Sequence, residues 1–268
     1  MNPSAQQLHT SIGIGGVTVG VQTSDAGFLR LLEDRYTGFT TDARSPDYEL
    51  EILLSPPPDI SPDADVRVWR EGGLWKLTRG DFYAEWDPSS RRGRINQSAN
   101  PYSIDSVLRI VHTLVLAGKD GFLVHAASAI RNGRAYLFAG KSGAGKTTIT
   151  RLAPPDVTRL TDEVSYVRKE GREYVAYGTP FAGELARIGE NVRAPLAAVY
   201  LLTQGKENRI ENVSTADATR ALLGNVLFFA EDPELVQAVF HSACGLVDHV
   251  PVRRLTFVPD AHVWELIK

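Results

Sequence analysis

The chain has 268 residues, 43% of them hydrophobic and 23% charged, which suits one large or two small globular domains and argues against disorder. Its 29 basic and 32 acidic residues give a formal net charge of −3, a balance that disfavours holding nucleic acid over the whole surface. A single cysteine, Cys244, excludes an internal disulfide framework and a structural zinc site.

The first residues, MNPSAQQLHTS, carry no basic region and no apolar run, so no secretory signal is expected. Apolar stretches such as 195–202 fall well short of the roughly 20 residues a membrane span takes. The expectation is a cytoplasmic, soluble protein without a membrane or nucleic-acid partner. Residues 12–21 (IGIGGVTVGV) read as glycine-rich β structure, and 28–36 (FLRLLEDRY) as a short helix with Phe28, Leu31 and Leu32 on one side. YELEILL (48–54) alternates as a strand does. SPPPDISP (55–62) is neither helix nor central strand, because four prolines lack an amide donor and fix φ. VRVWR, LWKLTR and FYAEWD, separated by Gly72-Gly73 and Gly80-Asp81, read as a β-meander. The polar run 91–99 (RRGRINQSA) reads as a loop or an edge.

Near residue 100 the texture changes. Residues 104–116 are apolar at helical spacing. Runs 122–130 and 134–139 read as strands joined by Asn132-Gly133, a strong tight-turn signal. Further strands are expected at 161–168, 196–203 and 250–258. One helix opens at Ser214, with Asp217 three residues on, and another at Asp232-Pro233, with Leu235, Val236, Val239, Phe240 and Ala243 on one apolar face. A last helix closes the chain at 261–267. Two domains follow: 1–100, mainly β with one helix, and 101–268, α/β.

One motif dominates. Gly140-Lys141-Ser142-Gly143-Ala144-Gly145-Lys146-Thr147 matches G-x-x-x-x-G-K-[ST] without a mismatch, a pattern that arises by accident roughly once in a hundred chains of this length. It stands between an apolar strand (AYLFA) and a segment able to start a helix with Thr147 and Thr148, as a phosphate-binding loop requires. Glycines let successive backbone N–H groups turn inward on phosphate oxygens, the helix N-terminus adds positive charge, Lys146 neutralises β- and γ-phosphate, and the Thr147 hydroxyl suits Mg²⁺. The competing reading is a glycine-rich turn that contains a lysine. The short Asn-Gly turn ties the loop-bearing strand antiparallel to the one before it, unlike the parallel βαβ units of motor ATPases.

His125 shares a strand face with Leu123 and Ala127, among small neighbours that leave room for its ring. A structural histidine is the bland alternative. Leu160-Thr161-Asp162-Glu163-Val164 puts two carboxylates at the expected start of a strand, where neighbours face opposite sides. One could hold Mg²⁺ while the other takes a proton from an attacking hydroxyl. As a Walker B the segment is poor, since Arg159 and Thr161 interrupt the apolar run. Arg187, Arg193, Arg253 and Arg254 are candidates for a γ-phosphate contact, and sequence does not choose among them. Trp69, Trp75 and Trp86 read as sheet-packing residues and His112 as structural, while His241, His249 and His262 show no metal-ligand spacing.

LVHAASAI, the turn RNG, GKSGAGKTT, LTDEV, YGTPFAGE (177–184) and 195–205 together resemble the HPr kinase/phosphorylase-related proteins, whose nucleotide domain is similar to that of phosphoenolpyruvate carboxykinase. The resemblance runs from about residue 104 to the end. It implies a P-loop kinase fold with a mixed sheet, preceded here by a small mainly-β domain with a possible role in docking the acceptor. It also implies ATP- and Mg²⁺-dependent transfer of the γ-phosphate to a serine hydroxyl. By residue match it implies a histidine near the transferring phosphate (His125), the loop lysine (Lys146), the metal-binding hydroxyl (Thr147) and an acidic pair, with Asp162 a metal ligand and the second member the expected proton acceptor. The family's Asp-Asp is Asp162-Glu163 here, which leaves the base open between the two. Glu184 corresponds to a further metal contact. The family's R-G-L-G-I-I-N segment is missing, which speaks against HPr as acceptor and against phosphorolysis. Relatives that phosphorylate ribosomal peptides are matched equally well, and hexamers in the HPr branch make a homo-oligomer a conceivable partner. The acceptor is then a peptide, a protein or a small molecule. A nucleotide-binding regulatory or scaffold protein is the alternative from a different class; a carboxykinase-type enzyme lacks the extra basic ligands for a dicarboxylate.

Overall fold

In the computed structural model, which describes residues 7–56, 65–183 and 187–268, the chain opens with a hairpin. Strands β1 (Leu8–Ile14) and β2 (Val17–Thr23) pair antiparallel, and Ile12, Ile14, Val17, Val19 and Val21 are all buried. Helix α1 (Ala26–Arg35) follows; the Asp25 carboxylate accepts the Phe28 amide at its start, and Phe28 and Leu32 fill its inner face. Strands β3 (Thr40–Thr41), β4 (Tyr48–Leu54), β5 (Arg67–Glu71), β6 (Leu74–Arg79), β7 (Phe82–Asp87) and β8 (Arg92–Gln97) complete an eight-stranded mixed sheet in the order β3-β1-β2-β4-β8-β7-β6-β5.

Two expectations need correction here. The polar run 91–99 is no loop or edge, because β8 lies inside the sheet, parallel to β4 and antiparallel to β7. Its outer face is held by cross-strand pairs, Arg92 to Glu49 and Arg94 to Glu51, each 2.9 Å, while Ile95 and Gln97 point into the core. Trp75 and Trp86 do pack within the sheet, whereas Trp69 on the edge strand is 36% exposed. Of the proline-rich run, residues 57–62 lie outside the described residues.

Helix α2 (Pro101–Ala117) precedes a second mixed sheet. The chain divides into two compact units inside this helix: one comprises Met1–Val111 with Phe229–Asp232, the other His112–Phe228 with Pro233–Lys268. In the second unit β9 (Gly121–Arg131) and β10 (Arg134–Ala139) form a hairpin whose turn residues Asn132 and Gly133 both have left-handed φ (51° and 73°). Then come α3 (Lys146–Arg151), β11 (Thr158–Thr161), β12 (Val164–Glu170), β13 (Glu173–Tyr177), β14 (Arg193–Gln204), β15 (Arg209–Asn212), α4 (Thr215–Leu223), β16 (Val226–Leu227), α5 (Pro233–His249), β17 (Val252–Phe257) and a closing 3-10 helix, Ala261–Leu266. The path runs β10-β9-β12-β13-β14-β17-β15, and β10 also pairs with β14, so five strands close on themselves. β10, β14 and β17 run parallel and end together. One apolar cluster includes Val124, Leu137 and residues of α4 and α5; another, on the opposite face, gathers Phe138, Ile149, Tyr200, Phe257 and Trp264.

The expected strand 161–168 is interrupted at residues 162–163, and the expected closing helix is a 3-10 helix. On α5, Val239, Ala243 and Leu246 face inward but Val236 and Phe240 are 46% and 47% exposed, so the inner face is rotated from the expected one. Ser214 caps α4 by accepting the Asp217 amide.

Candidate functional site

The site begins where β10 ends. Residues 140–145 turn from that strand into α3; Ala144 N–H donates to the Lys141 carbonyl (3.0 Å) and Ile149 N–H to the Gly145 carbonyl (2.9 Å), so helix follows loop without a break. Gly145 has φ +107°, and a Cβ there would stand 2.6 Å from the Phe257 ring, so conformation and space both demand glycine. Lys146 is 8% exposed and donates through Nζ to the carbonyls of Gly140 (2.9 Å) and Lys141 (3.4 Å), which holds the ammonium against the curve of the loop. From the end of β14, Gln204 Nε2 donates to the Gly143 carbonyl at 2.6 Å. The Trp264 indole donates to the Ile149 carbonyl at 3.0 Å and anchors α3 from beneath.

His125 is carried on β9 opposite Val164, its own amide bonded to the Asn225 carbonyl. Its Nε2 lies 3.4 Å from Glu163 Oε1, with the two side chains 34% and 33% exposed. The acidic pair is not at the start of a strand, as expected, but in the break between β11 and β12. The Thr161 hydroxyl accepts the amides of Glu163 and Val164 (3.2 and 3.3 Å) and folds the chain through a sharp bend. The two carboxylates part company there. Asp162 is 1% exposed and its Oδ1 accepts the Gly183 amide at 3.1 Å, whereas the Glu163 side chain is a third exposed beside His125.

A cavity of about 340 Å³ joins these parts. His125, Ser142, Gly143, Gly145, Lys146, Thr147, Thr148, Glu163, Gly183 and Gln204 line it. Gly140, Lys141 and Ala144 shape the loop behind the wall, and Asp162 sits beneath it. Glu184 lies outside the described residues. None of the four candidate arginines lines the cavity: Arg193 pairs with Glu170, and Arg254 lines an adjoining groove. Sequence reasoning missed Gln204 and Gly183. Gln204 had a signal, since a polar residue at the carboxyl end of a strand parallel to the loop-bearing one stands where α/β sheets bind ligands. Gly183 had only its place in YGTPFAGE, one of the runs that carry the resemblance, because that segment shows no periodicity.

Among the described residues no three His, Cys, Asp or Glu side chains gather as a metal cluster. A Mg²⁺ ion shared with phosphate oxygens needs only one or two protein oxygens, and the Thr147 hydroxyl on this wall fits that demand, whereas Asp162, expected beside it as a metal ligand, is buried and does not line the cavity. Elsewhere, an open groove of about 460 Å³ on the first unit's sheet contains none of the expected residues, and its Glu49 and Glu51 are tied to Arg92 and Arg94. No described helix is long and apolar enough to cross a membrane.

No curated protein matches the sequence. A solved structure, the Hpr(Ser) kinase/phosphatase from Coxiella burnetii, is similar at 13% identity over 44% of this chain and 87% of that one, with a TM-score of 0.25, an overlap too loose to carry the fold. The family model that matches is ScmC rather than HPr kinase, and it spans residues 94–268. That is more than half of the chain and includes every residue lining the cavity, so the chain belongs to the family described as SynChlorMet cassette protein ScmC.

Proposed function

We propose that the protein is an ATP- and Mg²⁺-dependent phosphotransferase that moves the γ-phosphate to a hydroxyl, of serine first of all, on a peptide, protein or small molecule. The observation that carries this reading is the single cavity shared by the phosphate-loop residues 142–148 and the His125–Glu163 pair. A loop alone would bind phosphate; a carboxylate and an imidazole facing the same space give it something to do.

In this reading the backbone amides of 143–148 cradle the phosphate chain and Lys146 offsets its negative charge. The acceptor hydroxyl attacks the γ-phosphorus, the new O–P bond forms as the bond to the β–γ bridging oxygen breaks, and ADP leaves. Glu163 takes the hydroxyl proton, with the His125 ring beside it to steady the carboxylate or relay the proton. Asp162, buried under the wall, holds the Gly183 amide and so fixes the far side of the cavity. Bound Mg²⁺ would draw charge from the phosphates, held by the Thr147 hydroxyl. The family description speaks of a cassette, so peptides and proteins of that cassette are the first acceptors to try.

The test is transfer of label from γ-labelled ATP to such acceptors by the wild type and by Lys146→Ala. Transfer that falls at least a hundredfold in the variant supports the proposal. Tight ATP binding with no transfer to any acceptor pool, and no acceptor-stimulated ADP release, gives the place to the nucleotide-binding regulator.

A further inference from the structure

The loop-bearing strand β10 lies between β9, which carries His125, and β14, which ends in Gln204, so His125 and its neighbour Glu163 stand at one end of the cavity and Gln204, bonded to the Gly143 carbonyl, at the other. Gln204 is also a wall of a second, adjoining groove of about 680 Å³, lined by Thr203, Gly205, Lys206, Arg209, Arg254 and Thr256 among others. The groove lies at the carboxyl ends of the parallel strands β14 and β17, with β15 on its outer side: Thr203 pairs with Thr256, and Thr256 with Arg209. This is the edge of a parallel sheet where open α/β folds place their ligands.

If the phosphate chain lies along the loop, its direction is fixed. The γ-phosphorus must be at the end that can accept a proton, beside Glu163 and His125. The α-phosphate is then at the Gln204 end, and whatever is esterified to it leaves the cavity over Gln204. We propose that the groove behind Gln204 takes the nucleoside of the bound nucleotide, with Gln204 as the residue that positions loop and nucleoside together. The lining suits such an occupant: hydroxyls of Thr203 and Thr256 for ribose and the side chains of Lys206 and Arg254 around an open hollow, while Arg209 is already tied to Glu207 and Glu211. This rests on the phosphate-loop reading above and adds to it where the rest of the ligand goes.

The experiment compares ATP with inorganic tripolyphosphate, both with Mg²⁺, by calorimetric titration of the full chain, wild type and Thr203→Trp. Thr203 is exposed and lines the groove but not the phosphate cavity, so an indole there fills the groove, and an unchanged Tm verifies that the fold is spared. The expected result is that the wild type binds ATP at least tenfold more tightly than tripolyphosphate. In the variant, ATP should weaken about tenfold while tripolyphosphate stays within twofold. Equal affinity of the wild type for both ligands, or an ATP affinity untouched by the indole, overturns the nucleoside groove and leaves the phosphate site standing. Failure of the wild type to bind either ligand overturns the phosphate-loop reading, and the groove with it. Gln204→Ala gives a second measure: tighter loss for ATP than for tripolyphosphate supports the positioning role, and equal loss overturns it.

Discussion

Glu163 and Asp162 are neighbours in sequence and differ in almost everything that matters chemically. One side chain is a third exposed and 3.4 Å from an imidazole; the other is 1% exposed and bonded to a backbone amide. Removing only the charge of each separates the roles. Glu163→Gln keeps the shape but cannot take a proton, so kcat should fall by about 10²–10⁴ while ATP affinity changes little. Asp162→Asn keeps an oxygen for the Gly183 amide and should lose far less turnover. Rapid-quench measurement of the transfer step beside equilibrium ATP titration reads both; equal turnover in wild type and Glu163→Gln would strip Glu163 of its proton-accepting role. The sequence exposed the pair, since two acids downstream of a G-x-x-x-x-G-K-T match stand out. It hid which one faces the cavity, because that depends on a bend set by the Thr161 hydroxyl rather than on strand alternation.

At the level of elements, runs with a clear apolar period were legible, helix α2 and the meander strands β5, β6 and β7 among them, while β8 was not. α2 is read from its spacing because it is apolar nearly all round, and a helix of that kind is buried. β8 misleads because only alternate residues, Ile95 and Gln97, need burial, while arginines on its other face find partners on β4. The same burial of α2 encloses His112, whose ring lies edge-on to Tyr166 with no hydrogen bond to either nitrogen. Loss of hydration, with the charge of Lys119 a smaller cause, holds its pKa down at about 4 against a usual 6.5. Above pH 6.5 both folded and unfolded chains carry a neutral ring, and stability is independent of it. As pH falls from 6.5 to 4 the unfolded chain takes up a proton that the folded chain refuses, so stability drops, by about 3 kcal/mol at most, and levels off below 4. Urea unfolding at pH 7 and pH 5 should therefore show a steeper loss in the wild type than in His112→Leu. Parallel losses would mean that the ring gains a proton without unfolding.

Across the whole molecule, the division into two units has consequences for where a ligand is felt. The change of texture near residue 100 hinted at such a division. The membership of Phe229–Asp232 in the first unit left no trace in the sequence, because its contacts there, such as the parallel bridge between Val68 and Ala230, join residues far apart in the chain. All the described residues lining the cavity at the 140–147 loop and its adjoining groove belong to the second unit. A ligand that binds the folded state alone stabilises it by RT ln(1 + [L]/Kd), about 2.7 kcal/mol at a hundredfold excess over Kd. Only openings that release the ligand are suppressed by that amount. Amides of β10, α3, β14 and β17 should thus exchange up to about a hundredfold more slowly with Mg-ATP, while those of β1, β2 and β4 should keep their rates. Hydrogen exchange read by mass spectrometry at saturating Mg-ATP distinguishes the cases. Equal slowing in both sheets would show that the two units open only together, and slowing in neither, with Mg-ATP demonstrably bound, would place the nucleotide away from the loop at 140–147.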